Sequence, residues 1–520
     1  MIRYKLPFAL LLALATTAGA EEFTMDYSVG LEANAGSGDF APYYISSLRQ
    51  GTVTAAKGVS LNVAAWRPLD MSKRFSYSFG VEAQATAANS ADYERWNKTD
   101  KEWYTHSERP SMVMLNQLWG QIKYRGVYLT AGLRNQKPPL VNPRLSSGDL
   151  VESGNARAMP GVRVGFIDFQ NIPFTNGWVQ IQGDLGYYKS TDNGWQKSHY
   201  NYWNYHLNLG WWYNYKRCFF RTKPSQPFSV TVGMQAAAQF AGTNYSYVRG
   251  EFVKEEAMGG GAKEFFHMLI PAGGDDFWKG NHVGSWDFNA RYRFDDNSEV
   301  KAYFQWLWED GSGIGKLNGW DGLWGLEWKA AEPGAISGAV LEAVTFMNHS
   351  GHIHYVPNDH KGTDFTHGHT DGADNYYNNT WYNGYAYYGM GIGSPMFPSP
   401  IYNTDGATTR YLDNRFWGVH GGIEGQILPE LSYRVLASYR RFYGTPFLPA
   451  INTTHDVSAM VEASWSLPQV PGLNLTAQLA FDKGNSHQYG NKFGALISAT
   501  YSGIFNFKKA KFNPCVLSKY

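Results

Sequence analysis

The stretch "FTMDYSVGLEANA", residues 23–35, alternates strictly between apolar and polar side chains. Its odd-numbered positions carry Phe, Met, Tyr, Val, Leu, Ala and Ala, and its even-numbered positions carry Thr, Asp, Ser, Gly, Glu and Asn. A period of two residues is typical of a β-strand with one apolar and one polar face. Strands of soluble proteins average about 5–6 residues. This segment is more than twice as long, and a strand of that length crosses a bilayer at a tilt.

The same alternation returns along the whole chain, with tyrosine and phenylalanine near the ends of the apolar faces, as in an interfacial girdle. Alternating segments begin near residues 24, 58, 74, 115, 126, 161, 176, 203, 228, 285, 299, 322, 338, 416, 431, 456, 473 and 491. Closing an even number of strands leaves no unpaired strand edge in lipid. The sequence therefore predicts an all-β fold, a transmembrane antiparallel β-barrel of about 18 strands, rather than a soluble β protein.

The connections between these segments differ in length, and their lengths predict the orientation of the barrel. Short, turn-like connections such as "RPLDMSK" (67–73) and "YRG" (124–126) mostly alternate with longer ones. In outer-membrane barrels the short turns face the periplasm and the long loops face outward. The external loops expected on this rule span residues 36–57, 88–114, 134–160, 189–202, 241–284, 309–321, 348–415, 441–455 and 482–490. Some of them are expected to plug the lumen.

The chain begins with the pattern of a secretory signal. Arg3 and Lys5 precede an apolar run over residues 6–15, and "AGA" ends at Ala20. We expect a signal peptide over residues 1–20 with cleavage after Ala20, a barrel over 21–507 and a short periplasmic tail over 508–520. The terminal aromatic residue, Tyr520, leaves open a longer last strand. No later run approaches the roughly 18 apolar residues of a membrane helix.

Composition argues against several functions. The net charge of +1 gives no reason to expect a nucleic-acid partner. Cys218 and Cys515 are lone cysteines, for which free thiols are favoured over a bridge. The signatures of common hydrolases, phosphate-binding loops and zinc proteases are absent, so we expect no catalytic residue and no enzyme activity, although a dispersed Ser/His/acid set would escape this search.

One long external loop carries the densest groups of candidate residues. Its histidines, together with a later one, could coordinate a divalent ion. The loop has no apolar surroundings that would fix the positions of the ligands, so we expect no metal and no cofactor. These histidines are His349, His352, His354, His360, His367, His369 and His420. The segment "DNYYNNTWYNGYAYYGMGIGSPMF" (374–397) mixes aromatic rings with amides. That mixture suits a carbohydrate, and it equally suits a lumen plug or an interfacial belt.

Charged residues that alternate inward are expected to pair with one another across the lumen, although an open row of them would tune solute selectivity. They are Glu82, Glu327, Glu342, Glu462, Arg291, Arg293 and Arg434.

A series of motifs in one order carries a family resemblance. The chain resembles the Wzi family of capsule-assembly outer-membrane proteins, in the form found in Bacteroides and its relatives. The motifs are "FAPYYISSLRQGT" (40–52), "LSSGDLVESGNARAMPGV" (145–162), "GNHVGSWDF" (280–288), "WEDGSG" (308–313), "DGLWGLEW" (321–328), "DNYYNNTWYNGYAYYGMGIGSP" (374–395) and "YRRFYGT" (439–445). The resemblance implies a largely plugged barrel that binds exported capsular polysaccharide and supports capsule assembly or attachment, without catalysis. A substrate-selective porin is the alternative.

The second of these motifs, at 145–161, is turn-rich and is not followed by a helix, so its glycines form no helix-terminus phosphate site. Its polar side chains either pin the loop to lumen charges or contact sugar hydroxyls. The residues predicted to bind polysaccharide are Glu152, Asn155, Arg157, Glu309, Asp310, Asp321, Tyr376, Tyr377, Asn378 and Trp381. We expect the protein in the outer membrane of a Gram-negative cell, with capsular polysaccharide, membrane lipid and, during biogenesis, the barrel-assembly machinery as partners.

Overall fold

The structure is a computed structural model. It describes residues 23–200, 203, 206–269, 280–309, 314, 319–349, 354–355, 370–371, 374–406, 409–486 and 488–517. The predicted signal peptide and its cleavage site at Ala20 lie outside the described residues.

Eighteen long strands form the wall of the molecule. They are β1 (Thr24–Gly36), β2 (Gly58–Arg67), β3 (Phe75–Ala88), β4 (Val113–Tyr124), β5 (Val127–Leu133), β6 (Pro160–Phe166), β7 (Val179–Lys189), β8 (Trp212–Thr222), β9 (Phe228–Phe240), β10 (Gly280–Arg293), β11 (Glu299–Glu309), β12 (Gly322–Lys329), β13 (Gly338–Phe346), β14 (Phe416–Leu428), β15 (Leu431–Gly444), β16 (Pro449–Ser466), β17 (Leu473–Gly484) and β18 (Lys492–Asn506). Two short flanking strands, Gln170–Asn171 and Lys511–Pro514, bring the described sheet to twenty strands.

The sheet closes on itself. Each strand pairs antiparallel with the next, and β1 pairs with both β2 and β18, so that Val29 lies opposite Val63 on one side and Tyr501 on the other. The predicted 18-stranded antiparallel barrel is confirmed. Closure satisfies every strand edge, which a sheet in lipid requires.

The outer face of the barrel is apolar, as the alternation predicts. In β1, Val29 and Leu31 are exposed, whereas Ser28 and Gly30 point into the lumen and are buried. At the short-turn end, exposed aromatic rings stand at the strand ends, as in an interfacial girdle; they are Phe75, Tyr124, Phe228 and Tyr292. An apolar belt on a closed barrel is the architecture that lipid demands. The protein is therefore an outer-membrane β-barrel of a Gram-negative cell, with its short turns toward the periplasm and its long loops outside.

Three strands begin more than three residues away from the predicted starts. β8 begins at Trp212 rather than near residue 203, because His206–Leu209 joins a separate three-stranded sheet with Thr243–Val248 and Glu251–Ala257. At the junction, Gly210 and Gly242 have φ of +66° and +90°, so the backbone leaves the barrel wall there. β10 and β16 begin earlier than predicted, since Gly280 pairs with β9 and Pro449 pairs with the end of β15.

Among the residues that the structure describes, helical structure is confined to the connections at the loop end. The helices are α1 (Tyr43–Ser46), α2 (Asn193–His199) and α3 (Ala262–His267), with 3₁₀ turns at Thr380–Tyr382 and Pro400–Tyr402. A separate hairpin pairs Ala91–Asn97 with Glu102–Glu108, and minimal strands occupy His354–Tyr355, Thr370–Asp371, Ala386–Tyr387 and Met390–Gly391. Within the described part of the chain, we find no helix with the length and apolar character needed to cross a membrane.

The C-terminal segment, predicted as a tail from residue 508, turns back along the last strand. Lys511–Pro514 pairs with the end of β18, with Phe512 opposite Phe505, past the point where the pairing of β18 with β17 begins at Tyr501 and Leu473. The backbone N–H of Leu517 then donates to Ser502 Oγ at 3.2 Å. Cys218 and Cys515 are free, as predicted.

Candidate functional site

Three connections from the loop end enter the lumen and fill its outer part. They comprise residues 37–57, 134–159 and 374–415 without 407–408, and most of their side chains are buried. Their hydrogen bonds reach separate strands of the wall: the Tyr43 N–H donates to Asp482 of β17 at 2.9 Å, and Ser146 Oγ donates to Glu342 of β13 at 2.7 Å. We call these three segments the plug.

Asp149 is the central polar anchor of the plug. Its side chain is fully buried and accepts N–H bonds from Gln235 of β9 at 2.9 Å and Gln305 of β11 at 2.7 Å. It also accepts the backbone N–H groups of Val151 at 2.8 Å and Glu152 at 3.1 Å. Burial raises the pKa of Asp149 above its ordinary value. One carboxyl group thus ties two strands of the wall to the turn of the plug.

A second anchor holds the same segment where it enters the lumen. Glu342 accepts from Ser146 Oγ, from the Ser147 N–H at 2.6 Å and from the Tyr303 hydroxyl. Nearby, His420 Nε2 donates to the Leu145 carbonyl at 2.7 Å. Because that nitrogen carries the proton, Nδ1 is free to accept from the hydroxyl of Tyr44 at 2.8 Å, which links the first and second plug segments.

The tyrosines of the third plug segment form its aromatic core. Tyr377 donates its hydroxyl to the Leu150 carbonyl, and Tyr385 donates to the Val151 carbonyl at 2.9 Å. The sequence leaves open whether the tyrosines of this segment bind sugar or plug the lumen. Five of them are at most 3% exposed: Tyr376, Tyr377, Tyr382, Tyr385 and Tyr387. They therefore pack the lumen, which is the second of the two roles that the sequence leaves open.

The three predicted binding residues of the second segment serve internal contacts. Glu152 lies 3.4 Å from Arg163 of β6, and Arg157 stacks at 4.2 Å from the ring centroid of Tyr388. Asn155 accepts the Leu48 N–H at 3.0 Å and donates to the Gly391 carbonyl at 3.1 Å, so it joins all three plug segments. The hydroxyl of Ser153, in the same turn, donates to the carbonyl of Gly393 at 2.6 Å.

The predicted acidic residues at the loop end also bind backbone. Glu309 accepts the Tyr377 N–H at 2.7 Å. Asp321 is fully buried and accepts the N–H groups of Met347 at 2.9 Å and of Asn348 and His349 at 2.8 Å. Burial raises the pKa of Asp321 to about 6 despite these donors, because desolvation outweighs them.

The remaining predicted residues divide between the interior and the surface. Tyr376 stacks on His349 with ring centroids 4.3 Å apart, and burial lowers the pKa of His349 to about 3, so this ring is neutral. Asn378 exchanges two hydrogen bonds of 2.8 Å with the backbone of Tyr411. Trp381 is 41% exposed and lies 4.6 Å from the ring of His206. Asp310 lies outside the described residues.

Two of the predicted lumen charges pair with each other: Arg434 lies 2.7 Å from Glu462. Arg291 and Glu327 pair with charges outside the predicted set, Arg291 with Glu299 at 2.9 Å and Glu327 with Lys301. All three pairs join neighbouring strands and do not span the lumen as predicted. Glu82 and Arg293 instead use neutral partners: Gln117 Nε2 donates to Glu82 at 2.6 Å, and Arg293 donates to the Ser225 carbonyl at 2.8 Å.

No group of three or more His, Cys, Asp or Glu side chains suited to a metal ion occurs among the residues that the structure describes. Four histidines of the long loop, His352, His360, His367 and His369, lie outside them.

Two cavities remain in the lumen on the periplasmic side of the plug. One measures about 620 Å³ and the other about 520 Å³, and both border the plug residues 135–137. Amide and hydroxyl side chains make up about half of the lining of the larger one, including Asn62, Gln84, Asn116, Asn474, Thr476 and Thr500. The smaller one includes Trp66 and Trp119.

An aromatic cluster at the loop end escapes prediction from the sequence. Trp96 and Trp103 lie opposite each other in the hairpin Ala91–Asn97/Glu102–Glu108, and Trp203 packs against both rings. Their ring centroids lie 4.4 to 5.5 Å apart. In the sequence, the cluster is indicated only by two tryptophans that flank the turn in "RWNKTDKEWY" (95–104). The strands of this hairpin are too short to match the pattern of a long transmembrane strand.

Comparison with solved structures shows what the fold is similar to. The structure is similar to Wzi of Escherichia coli, an outer membrane protein involved in group 1 capsule assembly and a carbohydrate-binding β-barrel, with 13% identity, a TM-score of 0.53 and coverage of 96% of this chain and 89% of that one. OprD of Pseudomonas aeruginosa matches with 8% identity, a TM-score of 0.43 and coverage of 94% and 97%, and OccD3 of the same organism with 9%, 0.43, 93% and 91%. None of the protein-family models and none of the curated proteins matches the chain.

Proposed function

We propose that this protein is a non-enzymatic outer-membrane β-barrel that binds exported capsular polysaccharide at the cell surface and supports capsule assembly or attachment. The plug carries the proposal. Three loop-end connections fill the outer part of the lumen and are fastened to the wall by buried hydrogen bonds, such as those of Asp149 to β9 and β11 and of Glu342 on β13. A barrel closed in this way works at its outer surface, where an exported polymer is found.

Two further observations support this function. The fold is similar to that of a carbohydrate-binding barrel involved in capsule assembly. The loop end also presents indole rings, Trp103 and Trp381, that are 39% and 41% exposed. Aromatic faces and neighbouring amides are the groups that bind sugar rings and their hydroxyls.

The ten residues predicted from the sequence have two roles in this proposal. Trp381 contacts the polymer directly, because its ring is exposed at the loop end. Residues such as Asn155, Glu309 and Asp321 act indirectly, since their polar atoms already hold the plug together and a ligand would have to displace those bonds.

The test is a deletion strain complemented with the wild-type gene. We expect the deletion to shed polysaccharide into the medium and the complemented strain to retain it, as measured by the cell-bound and released fractions. Purified protein in detergent should bind polysaccharide extracted from the same cells. A normal capsule in the deletion strain, together with no binding by the pure protein, would contradict the proposal.

A substrate-selective porin is the second candidate, because the two lumen cavities have polar walls. Planar-bilayer recordings separate the two functions. A porin passes a steady ion current, whereas a barrel closed by its plug passes little.

A further inference from the structure

The aromatic cluster Trp96, Trp103 and Trp203 stands on a separate hairpin above the barrel. The two hairpin residues form a cross-strand pair, so their rings lie on the same face. All three rings are tilted by about 60° to one another, with interplanar angles of 57° to 61°. Trp103 is 39% exposed. A partly exposed group of three indoles on a surface hairpin is unusual and indicates a contact site.

Neighbouring connections hold this cluster in place. Gly250, with φ of +82°, approaches so closely that a Cβ atom there would lie 2.6 Å from Cδ1 of Trp96. Gly406, with φ of +68°, would place a Cβ atom 3.1 Å from Trp103 and 1.7 Å from the carbonyl oxygen of Glu94. The Glu94 N–H donates to the Thr404 carbonyl at 2.9 Å. The rings are therefore preorganised before any ligand binds, which lowers the entropic cost of binding.

The opposite side of the hairpin is fastened to α2. Arg95 forms an ion pair of 2.9 Å with Glu108, and His199 Nδ1 lies 2.7 Å from the same carboxylate. Tyr93 packs edge-on against His199 with ring centroids 4.8 Å apart. Because side chains alternate along a strand, the indoles lie on the face of the hairpin opposite to these contacts with α2.

Polar groups continue from the indoles along that same face. Glu94 lies opposite Thr105, whose hydroxyl donates to it at 2.8 Å, and Asp92 lies opposite Ser107 in the next cross-strand pair on this face. These two cross-strand pairs and the indoles extend over roughly 14 Å, since a strand rises about 3.4 Å per residue. Aromatic rings stack on the apolar faces of sugars, and carboxylates accept hydrogen bonds from hydroxyls. The carboxylates also repel an anionic chain such as a uronic acid polymer.

We propose that this hairpin face, with Trp103 at one end, is a binding site for two or three neutral pyranose rings of the surface polysaccharide. The site rests on the proposed function, because it gives that function its ligand contact and its sugar class.

The experiment measures binding of full-length protein in detergent by quenching of tryptophan fluorescence and by calorimetry. The probes are polysaccharide extracted from the host cell surface, lipopolysaccharide from the same cells, dextran as a neutral polymer and polygalacturonate as an anionic one. We expect Trp103→Ala to weaken binding of the extracted polysaccharide at least tenfold and Trp103→Tyr to weaken it less. The matched control is Trp178→Ala, which removes a 54% exposed indole at the periplasmic end and should leave affinity unchanged.

The outcomes separate the site from the function. If wild-type protein binds the extracted polysaccharide and Trp103→Ala binds it equally well, the site is wrong and the proposed function stands. If wild-type protein binds none, the function fails. Preference for lipopolysaccharide or polygalacturonate would contradict the assigned sugar class. Should Trp103→Ala fail to show the heat-dependent gel shift of a folded barrel, Asp92→Asn and Glu94→Gln take its place, and unchanged affinity in both would overturn the site.

Discussion

Replacing Asp149 by alanine should loosen the plug without unfolding the barrel. The carboxylate is fully buried and receives four N–H groups at 2.7 to 3.1 Å, two from the wall strands β9 and β11 and two from the plug turn. Its removal leaves the amides of Gln235 and Gln305 without this acceptor. The eighteen strands keep their own ladders, because none of those backbone bonds involves Asp149.

The size of the effect follows from the contacts. A hydrogen bond to a charged group contributes about 1.5–3 kcal/mol net. Burial of the carboxylate, which raises its pKa, offsets part of the sum of four such bonds. Leaving a buried donor without its acceptor costs about 1–3 kcal/mol. At about 1.4 kcal/mol per factor of ten, each such donor shifts the equilibrium between a docked and an undocked plug by roughly one to two orders of magnitude.

The assay is single-channel recording in planar bilayers. Wild-type protein should give a closed baseline, and Asp149→Ala should give frequent openings. Asp149→Asn keeps the shape and one acceptor oxygen, so its effect should be smaller. The control is Asp296→Ala, which removes a carboxylate that also accepts two bonds, from the N–H and the hydroxyl of Ser298, but lies in a periplasmic turn. A folded Asp149→Ala variant as silent as wild type would refute the role of Asp149.

Three further predictions concern other parts of the plug and the wall. The pKa of Asp321, raised to about 6, lies above the value of about 3.9 expected in the unfolded chain, so its contribution to stability is present below pH 4 and is lost as the pH rises through 6. The unfolding free energy of wild type relative to Asp321→Asn should fall by about 2 kcal/mol between pH 4 and pH 7, and a constant difference would contradict the shifted pKa. Tyr385→Phe removes hydroxyl bonds of 2.9 Å to the Val151 carbonyl and to Tyr213, and it should speed proteolysis of the 145–157 segment; equal cleavage rates would show that these bonds do not hold the segment. Glu462→Ala leaves the Arg434 side chain, only 17% exposed, without its partner at 2.7 Å and should lower the free energy of unfolding, measured in urea, by about 3–5 kcal/mol; an unchanged free energy of unfolding would mean that water replaces the carboxylate.

The barrel was predictable from the sequence because a strand that faces lipid on one side and the lumen on the other has to alternate apolar and polar side chains. That alternation is visible in the sequence itself. Most strand starts fall within a few residues of the predicted ones, as at β1, β9 and β17. The clearest miss, β8, arises where a strand pair leaves the membrane: His206–Leu209 still pairs and still alternates, but the kink at Gly210 and Gly242 takes it out of the wall. Alternation alone does not distinguish a strand in lipid from its continuation above it.

The interior was less predictable, because a plug and a sugar-binding surface use the same residue types. Tyr377 and Trp381 stand four positions apart in one aromatic segment, yet one is fully buried and the other is 41% exposed. Burial there depends on contacts with residues far away in sequence, such as Leu150, to which Tyr377 donates its hydroxyl. Such partners are set by the folded barrel and leave no local pattern.

The most direct test of the account combines binding and closure in one preparation. Proteoliposomes that contain the wild-type protein should bind polysaccharide extracted from the host cell surface in a saturable manner. Their membranes should conduct almost no ion current. A steady ion current together with no saturable binding would contradict the account and would favour a porin.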